Sequence, residues 1–181
     1  MEFELLETER LLLRKLSPEV YDYISKNYSE EEYMAHLGLK TQAELQIDKE
    51  RYEKGLSAYD RTFAIFQLIK KDNDEVIGIT GFVRHYPSHL RAELGYFINE
   101  DQDKNKGFMT EATIPMIDYG FEQMQLNRIE AMVGPTNIPS LKLLEKLNFK
   151  KEGILKHHYI KDGKAEDSVV YALLREEFYN S

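Results

Sequence analysis

The sequence predicts a mixed α/β fold, a mostly antiparallel sheet of about seven strands with helices inserted between them. Three observations carry that reading. Runs rich in β-branched and aromatic residues at Thr62–Lys70, Glu75–Val83 and Arg91–Ile98 follow one another across short turns, the pattern of neighbouring antiparallel strands. Between Gly107 and Met124, the apolar or small residues Met109, Ala112, Met116, Ile117, Gly120, Phe121 and Met124 recur at helical spacing, which marks a buried helix face. Strand-like runs resume after that helix, so the two kinds of element are interleaved.

The elements follow in order. Arg10–Leu16 is a short apolar strand stopped by Ser17-Pro18, a cap and first-turn proline that open a helix to about Tyr28. A second helical region spans about Thr41–Leu56; its apolar stripe is weak, so it is expected to be half exposed. The turn at Lys71–Asp74 joins the first two strands of the central trio, and a turn near Pro87 leads to the third. Pro115 interrupts the long helix and is expected to kink it. Asn127–Val133 reads as a strand that a right-handed crossover would reach if it lies parallel to the earlier one. Asn137 opens a short helix with Leu141, Leu144 and Leu147 inward, and Asn148 ends it in the left-handed conformation. Lys150–Ile160 and Asp167–Leu174 form a last hairpin around Lys161–Lys164.

At 181 residues the chain fits one domain, 1–181, with no linker, repeat or low-complexity tract. No apolar run approaches the roughly 18 residues of a membrane span, and the acidic N-terminus does not look like a signal peptide, so a cytoplasmic protein is expected. Zero cysteines exclude disulfides and thiolate chemistry. The net charge of −8 argues against nucleic acid and anionic membrane as partners. The charge is uneven: residues 1–60 hold 8 basic and 14 acidic side chains, net −6, and this face either attracts a cationic partner or is an ordinary solvated surface. His85, His89, His157 and His158 are too scattered for a metal site, and none is expected. The 21 tyrosines and phenylalanines fall mostly at strand spacing and read as core.

Lys104-Asn-Lys-Gly-Phe-Met-Thr110 lies between a strand and the buried helix. Such a turn aims free backbone N–H groups and the positive helix end at one point, which suits a phosphate or pyrophosphate, although a lone glycine there is also an ordinary cap. Asn137-Ile-Pro-Ser140 likewise reads as a helix cap on its own.

Taken in order, Ala92-Glu-Leu-Gly-Tyr96, Gly107-Phe-Met-Thr-Glu-Ala112, Asn137-x-x-Ser140, Leu144-Glu-Lys-Leu-Asn-Phe149 and Asp167-x-x-x-Tyr171-x-Leu173 resemble the GNAT superfamily of acetyl-CoA-dependent N-acetyltransferases. They look most like its ribosomal-protein N-terminal acetyltransferase branch, and the likeness runs from Glu7-Thr-Glu-Arg-Leu-Leu-Leu-Arg14 to the end. The resemblance implies a splayed GNAT sheet, with acetyl-CoA as cosubstrate and no metal. It implies that the pyrophosphate sits on the amides of Lys104, Asn105, Lys106, Gly107, Phe108, Met109 and Thr110, and that the pantetheine arm adds like a strand beside Phe97, Ile98 and Asn99. Asn137 and Ser140 would line its far side. The family's phosphate loop usually begins with Gln or Arg and ends with Gly or Ala; here those places are Lys104 and Met109.

Acetyl transfer needs a proton acceptor for the amine and a donor for the leaving thiolate. By the same resemblance Glu93 stands where several members carry a general base, with a plain strand carboxylate as the alternative. Many members place an acidic tyrosine seven residues after the asparagine; here that residue is Leu144, which leaves Ser140 as the nearest hydroxyl. Where some relatives of that branch carry a glutamate base, this chain has Tyr159, so Glu93, Tyr159 or water remains open as the base. The expected acceptor is a primary amine, either a protein N-terminus or a small molecule such as a polyamine, amino acid or aminocyclitol, and the expected assembly is a monomer or homodimer. A non-catalytic acyl-CoA-binding module is the competing class.

Overall fold

The computed structural model describes residues 2–53 and 62–180. The N-terminal pair, β1 (Leu5–Glu7) and β2 (Leu11–Leu16), is antiparallel, and β2 continues onto β3 (Thr62–Lys70). Next come β4 (Val76–Tyr86) and β5 (Arg91–Ile98), completing the expected antiparallel trio. After β6 (Arg128–Val133) the chain ends in the hairpin β7 (Lys150–Lys161) and β8 (Lys164–Leu174). Together they form one eight-stranded sheet in the order β1-β2-β3-β4-β5-β6-β8-β7. The extra strand is β1, three residues too short to show a pattern.

Among the described residues, β5 and β6 are the parallel pair, and they touch only over Arg91↔Arg128, Ala92↔Ile129 and Glu93↔Glu130. Beyond Glu93 the strands part. The segment Leu94–Ile98 therefore keeps β4 on one side and has no strand partner on the other. A parallel pair needs a crossover, and α4 (Phe108–Glu122) supplies it, running unbroken through Pro115 rather than being interrupted there.

Each face of the sheet has its own cover. Leu13, Phe66, Leu68, Phe82, Leu94 and Ile129 meet Met116, Ile117 and Phe121 of α4, and Leu144 of α5 (Ile138–Lys146), in the main core. Phe66, Phe82 and Phe121 are fully buried there, and truncating any one to alanine would cost about 3–5 kcal/mol. On the opposite face Leu16 and Ile65 meet α1 (Pro18–Asn27), α2 (Glu30–Leu37) and α3 (Gln42–Glu53) in a smaller cluster around Val20, Ile24, Tyr33 and Leu45.

The expected helix to about Tyr28 is α1, with Ser17 accepting from the Val20 N–H. Helix α2 has too weak an apolar pattern to be seen, yet Ser29 and Glu32 form a reciprocal capping box and Gly38, at φ +71°, stops it. A side chain at Gly38 would put its Cβ 2.7 Å from Val76 Cβ, so the left-handed stop is also a close contact with β4. Helix α3 is the expected helix of the Thr41 region; its expected end at Leu56 lies outside the described residues. The hairpin turn at Asp162-Gly163 and the left-handed Asn148 stand as the turn chemistry requires. The short helix α6 (Arg175–Tyr179) closes the chain.

Candidate active site

Where β5 and β6 part, a cleft of about 480 Å³ opens between the edge of β5, the start of α4 and the start of α5. Its wall is Tyr96, Phe97 and Ile98 from β5; Asp103, Lys104, Asn105, Gly107, Phe108, Met109 and Thr110 from the α4 approach; and Asn137, Pro139, Ser140 and Leu143 from α5. Most of the residues singled out from the sequence thus meet on one surface. Three stand off it. Asn99 turns toward β4, its N–H donating to the Ile77 carbonyl at 2.9 Å and its amide to the Val76 carbonyl, because the chain leaves the sheet there. Lys106 points its carbonyl at Arg10 and its ammonium at Asp103, 3.7 Å away. Glu93 lies at the parting point of the strands, on the face opposite Ala92 and Leu94.

The α4 approach is built to leave donors free. Gly107 is the N-cap at φ +82° and brings no side chain to cap the helix; the first helical bond is Glu111 N–H to the Gly107 carbonyl, 3.0 Å. The N–H groups of the first turn therefore point out of the helix end with no side-chain acceptor, an anion site in the physical sense. A clamp that sequence reasoning missed holds this turn. Glu111 accepts from the Thr8 hydroxyl at 2.6 Å, the Arg10 N–H at 2.7 Å and Arg10 Nε at 2.6 Å. Arg10 also donates to the Lys106 carbonyl at 3.1 Å and lies over the Phe108 ring. That one guanidinium thus ties the loop's carbonyl and the Glu111 carboxylate together. Burial pushes the Glu111 carboxyl up, but the bonds from Thr8 and Arg10 outweigh it and hold the group below its usual range.

The two loop lysines are already partnered, Lys104 with Asp101 at 2.6 Å and Lys106 with Asp103. Asp103 is buried, shares its charge with Lys70 at 3.6 Å, and has one oxygen without a hydrogen-bond partner. Met109, in the place of the small residue of the resembling motif, packs against the main core from the cleft wall.

At α5, Asn137 accepts from the Ser140 N–H at 3.3 Å and Pro139 has no N–H to give, so this helix start offers side chains and few free amides. Leu144 is fully buried in the core and, being aliphatic, has no proton to donate. Tyr96, on the core-facing side of β5 and given no role of its own from the sequence, brings its phenol to the same wall, where its buried oxygen has no well-formed hydrogen bond. The signal for it was available: strand alternation places Tyr96 with Leu94 on the inner face, where a phenol needs a partner.

On the other face, Glu93 has a side chain only 14% exposed and ion-pairs with Arg84 through one oxygen. Tyr159 stands at the far end of the parting, its hydroxyl about 3.1 Å from where a side chain on Gly134 would begin. It donates to Glu166 at 3.0 Å, and that bond pushes its pKa up, which keeps the phenol protonated. His158 Nδ1 lies 2.8 Å from the Ser168 hydroxyl, in a strand irregularity where Asp167 accepts from the His157 N–H. No three His, Asp or Glu side chains among the described residues could hold a metal ion together.

The GNAT acetyltransferase domain model matches residues 10–150. The uncharacterized N-acetyltransferase p20 of Bacillus licheniformis is 37% identical over 177 residues, covering 97% of this chain and 98% of that one. The ribosomal protein uS5 alanine N-acetyltransferase of Escherichia coli is 34% identical over 133 residues, 73% of this chain and 65% of its own length. Among solved structures, a GNAT-family acetyltransferase from Bacillus anthracis superposes with a TM-score of 0.67 at 27% identity, covering 96% of this chain and all of that one. With the parted β5 and β6 and the amide-lined start of α4 between them, these matches place the chain in the GNAT family of N-acetyltransferases.

Proposed function

We propose that this enzyme transfers the acetyl group of acetyl-CoA to the α-amine of a protein N-terminus, by direct attack with both substrates bound. The observation that carries the reading is the parting of β5 from β6, which opens a passage through the sheet with Glu93 on one face and the Ser140 and Tyr96 hydroxyls on the cleft side. Amine and thioester can then meet from opposite faces without exchanging places.

The residues present fit coenzyme A. The first-turn amides of α4 and Gly107 suit a pyrophosphate, and the unpaired edge of β5 at Phe97 and Ile98 suits an extended amide-bearing arm that pairs as a strand would. Bound there, acetyl-CoA supplies an activated acyl group. Glu93, through its oxygen not engaged by Arg84 or through one water, takes the proton that the amine sheds. The Ser140 hydroxyl lies on the path by which the departing sulfur gains its proton. Tyr159 is a poor base while it donates to Glu166, and is better suited to ordering the acceptor.

The protein N-terminus is favoured over a small amine by the alanine N-acetyltransferase relative and by the open acceptor side, where Val83, Phe97 and Tyr159 are exposed. The test is a panel of peptides with free N-termini set against polyamines and amino acids, assayed with acetyl-CoA by thiol release. Turnover confined to the small amines would overturn the acceptor, and CoA binding without turnover of any amine would favour the non-catalytic module.

A further inference from the structure

We propose that the Tyr96 hydroxyl is the direct proton donor to the departing thiolate, with Ser140 as the group that re-supplies its proton. This rests on the cleft being the acetyl-CoA site. Four buried side-chain polar atoms among the described residues lack a hydrogen-bond partner: His36 Nε2, Thr80 Oγ1, Tyr96 Oη and Asp103 Oδ2. Of these, Tyr96 and Asp103 line the cleft, and the Asp103 carboxylate is already engaged by Lys70 and Lys106. An orphaned buried hydroxyl is costly, so its persistence at the wall of a ligand cleft points to a partner that arrives with the ligand.

The neighbourhood fits the task. Burial drives the Tyr96 pKa upward, which keeps the phenol protonated, and the neighbouring Ser140 hydroxyl pulls it partly back. Two hydroxyls therefore stand side by side at the foot of α5, in the role that buried Leu144 cannot fill. In the balanced step, the amine nitrogen bonds to the acyl carbon while the carbon–sulfur bond breaks and its electron pair goes to sulfur. Sulfur takes the Tyr96 proton while Ser140 passes a solvent proton on to the phenol oxygen, giving one and taking one in the same relay, so that neither hydroxyl is left ionised. The amine's own proton leaves through Glu93 to solvent.

The test is Tyr96→Phe, which deletes one oxygen and keeps the ring. Turnover is expected to fall about 10²-fold, the scale of losing one positioned acid, with the Kd for CoA unchanged within about twofold. The ligand-free variant should melt at or above the parent's temperature, because the orphan it removes stabilises nothing. Free CoA bound to the variant should ionise at higher pH than CoA bound to the parent, read by thiolate absorbance, because a donor to sulfur has been lost. An unchanged thiol titration with unchanged turnover would overturn the proposal while leaving the cleft assignment standing; a variant that melts well below the parent would show the hydroxyl to be structural. A parent chain that binds no CoA would overturn both.

Discussion

Two helices begin on the same cleft, and they begin differently. Helix α4 starts at a left-handed glycine with no side-chain cap, its first amides unclaimed and its loop carbonyl drawn off by Arg10. Helix α5 starts at Asn137, which accepts one amide itself, with Pro139 removing another. The first start is thus suited to a fixed anion and the second to presenting a hydroxyl. The difference separates holding the cosubstrate from handling protons, and substitutions at each end should separate along the same line.

The largest effect is expected at α5. Ser140→Ala removes a hydroxyl in the proton path, so turnover should fall by up to about 10², with CoA affinity by calorimetry held within about twofold. A loss in affinity with unchanged turnover would erase the contrast between the two helix starts. At α4 the expectation is reversed. Gly107→Val forces a β-branched residue into φ +82°, which costs roughly 1–2 kcal/mol, and the Kd for CoA should rise at least about tenfold by calorimetry while turnover at saturation changes little.

That division was half legible in the sequence. Gly107 before an apolar helix and Asn137 three residues before Ser140 are local signals, and the trio of strands showed in the β-branched and aromatic runs between Thr62 and Ile98. The clamp was not, because Thr8 and Arg10 lie 103 and 101 residues before Glu111 in the chain and meet it only once β2 lies beside α4. Helix α2 escaped because its length of eight residues and mixed face leave the capping box as its one local mark. Glu93 could be placed on its strand from alternation, but its ion pair with Arg84 depends on the register of β4, which shifts by a bulge between Phe82 and Arg84.

Glu111→Gln tests the clamp with a smaller change. The amide keeps the shape but loses the charge that accepts from Thr8 and Arg10, and hydrogen bonds to charged groups are worth about 1.5–3 kcal/mol. Stability should drop by roughly that amount at neutral pH, and CoA affinity by a few-fold. The sign with pH follows from the carboxyl being held below its ordinary 4.5. Its contribution is complete above that value and fades as pH falls through the depressed folded-state pKa, so parent and variant should converge in acid and differ most near neutrality. Denaturant unfolding at pH 7 and at pH below 4.5 reads the convergence; a constant gap between the two proteins would remove the charge from the clamp.

The smallest expected effect distinguishes two roles of Asn137. As a cap, its Oδ1 satisfies the Ser140 N–H at 3.3 Å, a long bond on an exposed helix end, so Asn137→Ala should cost about 0.5–1 kcal/mol and lower Tm by about 1–4 °C. Asn137→Ser, which can still cap, should recover most of that loss. As a wall residue of the cleft, Asn137 could also meet the bound arm through its amide nitrogen, for which no other partner is seen among the described residues. The serine cannot replace that donor at the same reach. Restored stability with CoA affinity still a few-fold weaker would make Asn137 a contact of the cosubstrate; full recovery of both would confine it to capping, and α5 would then contribute its hydroxyl and nothing to the hold on CoA.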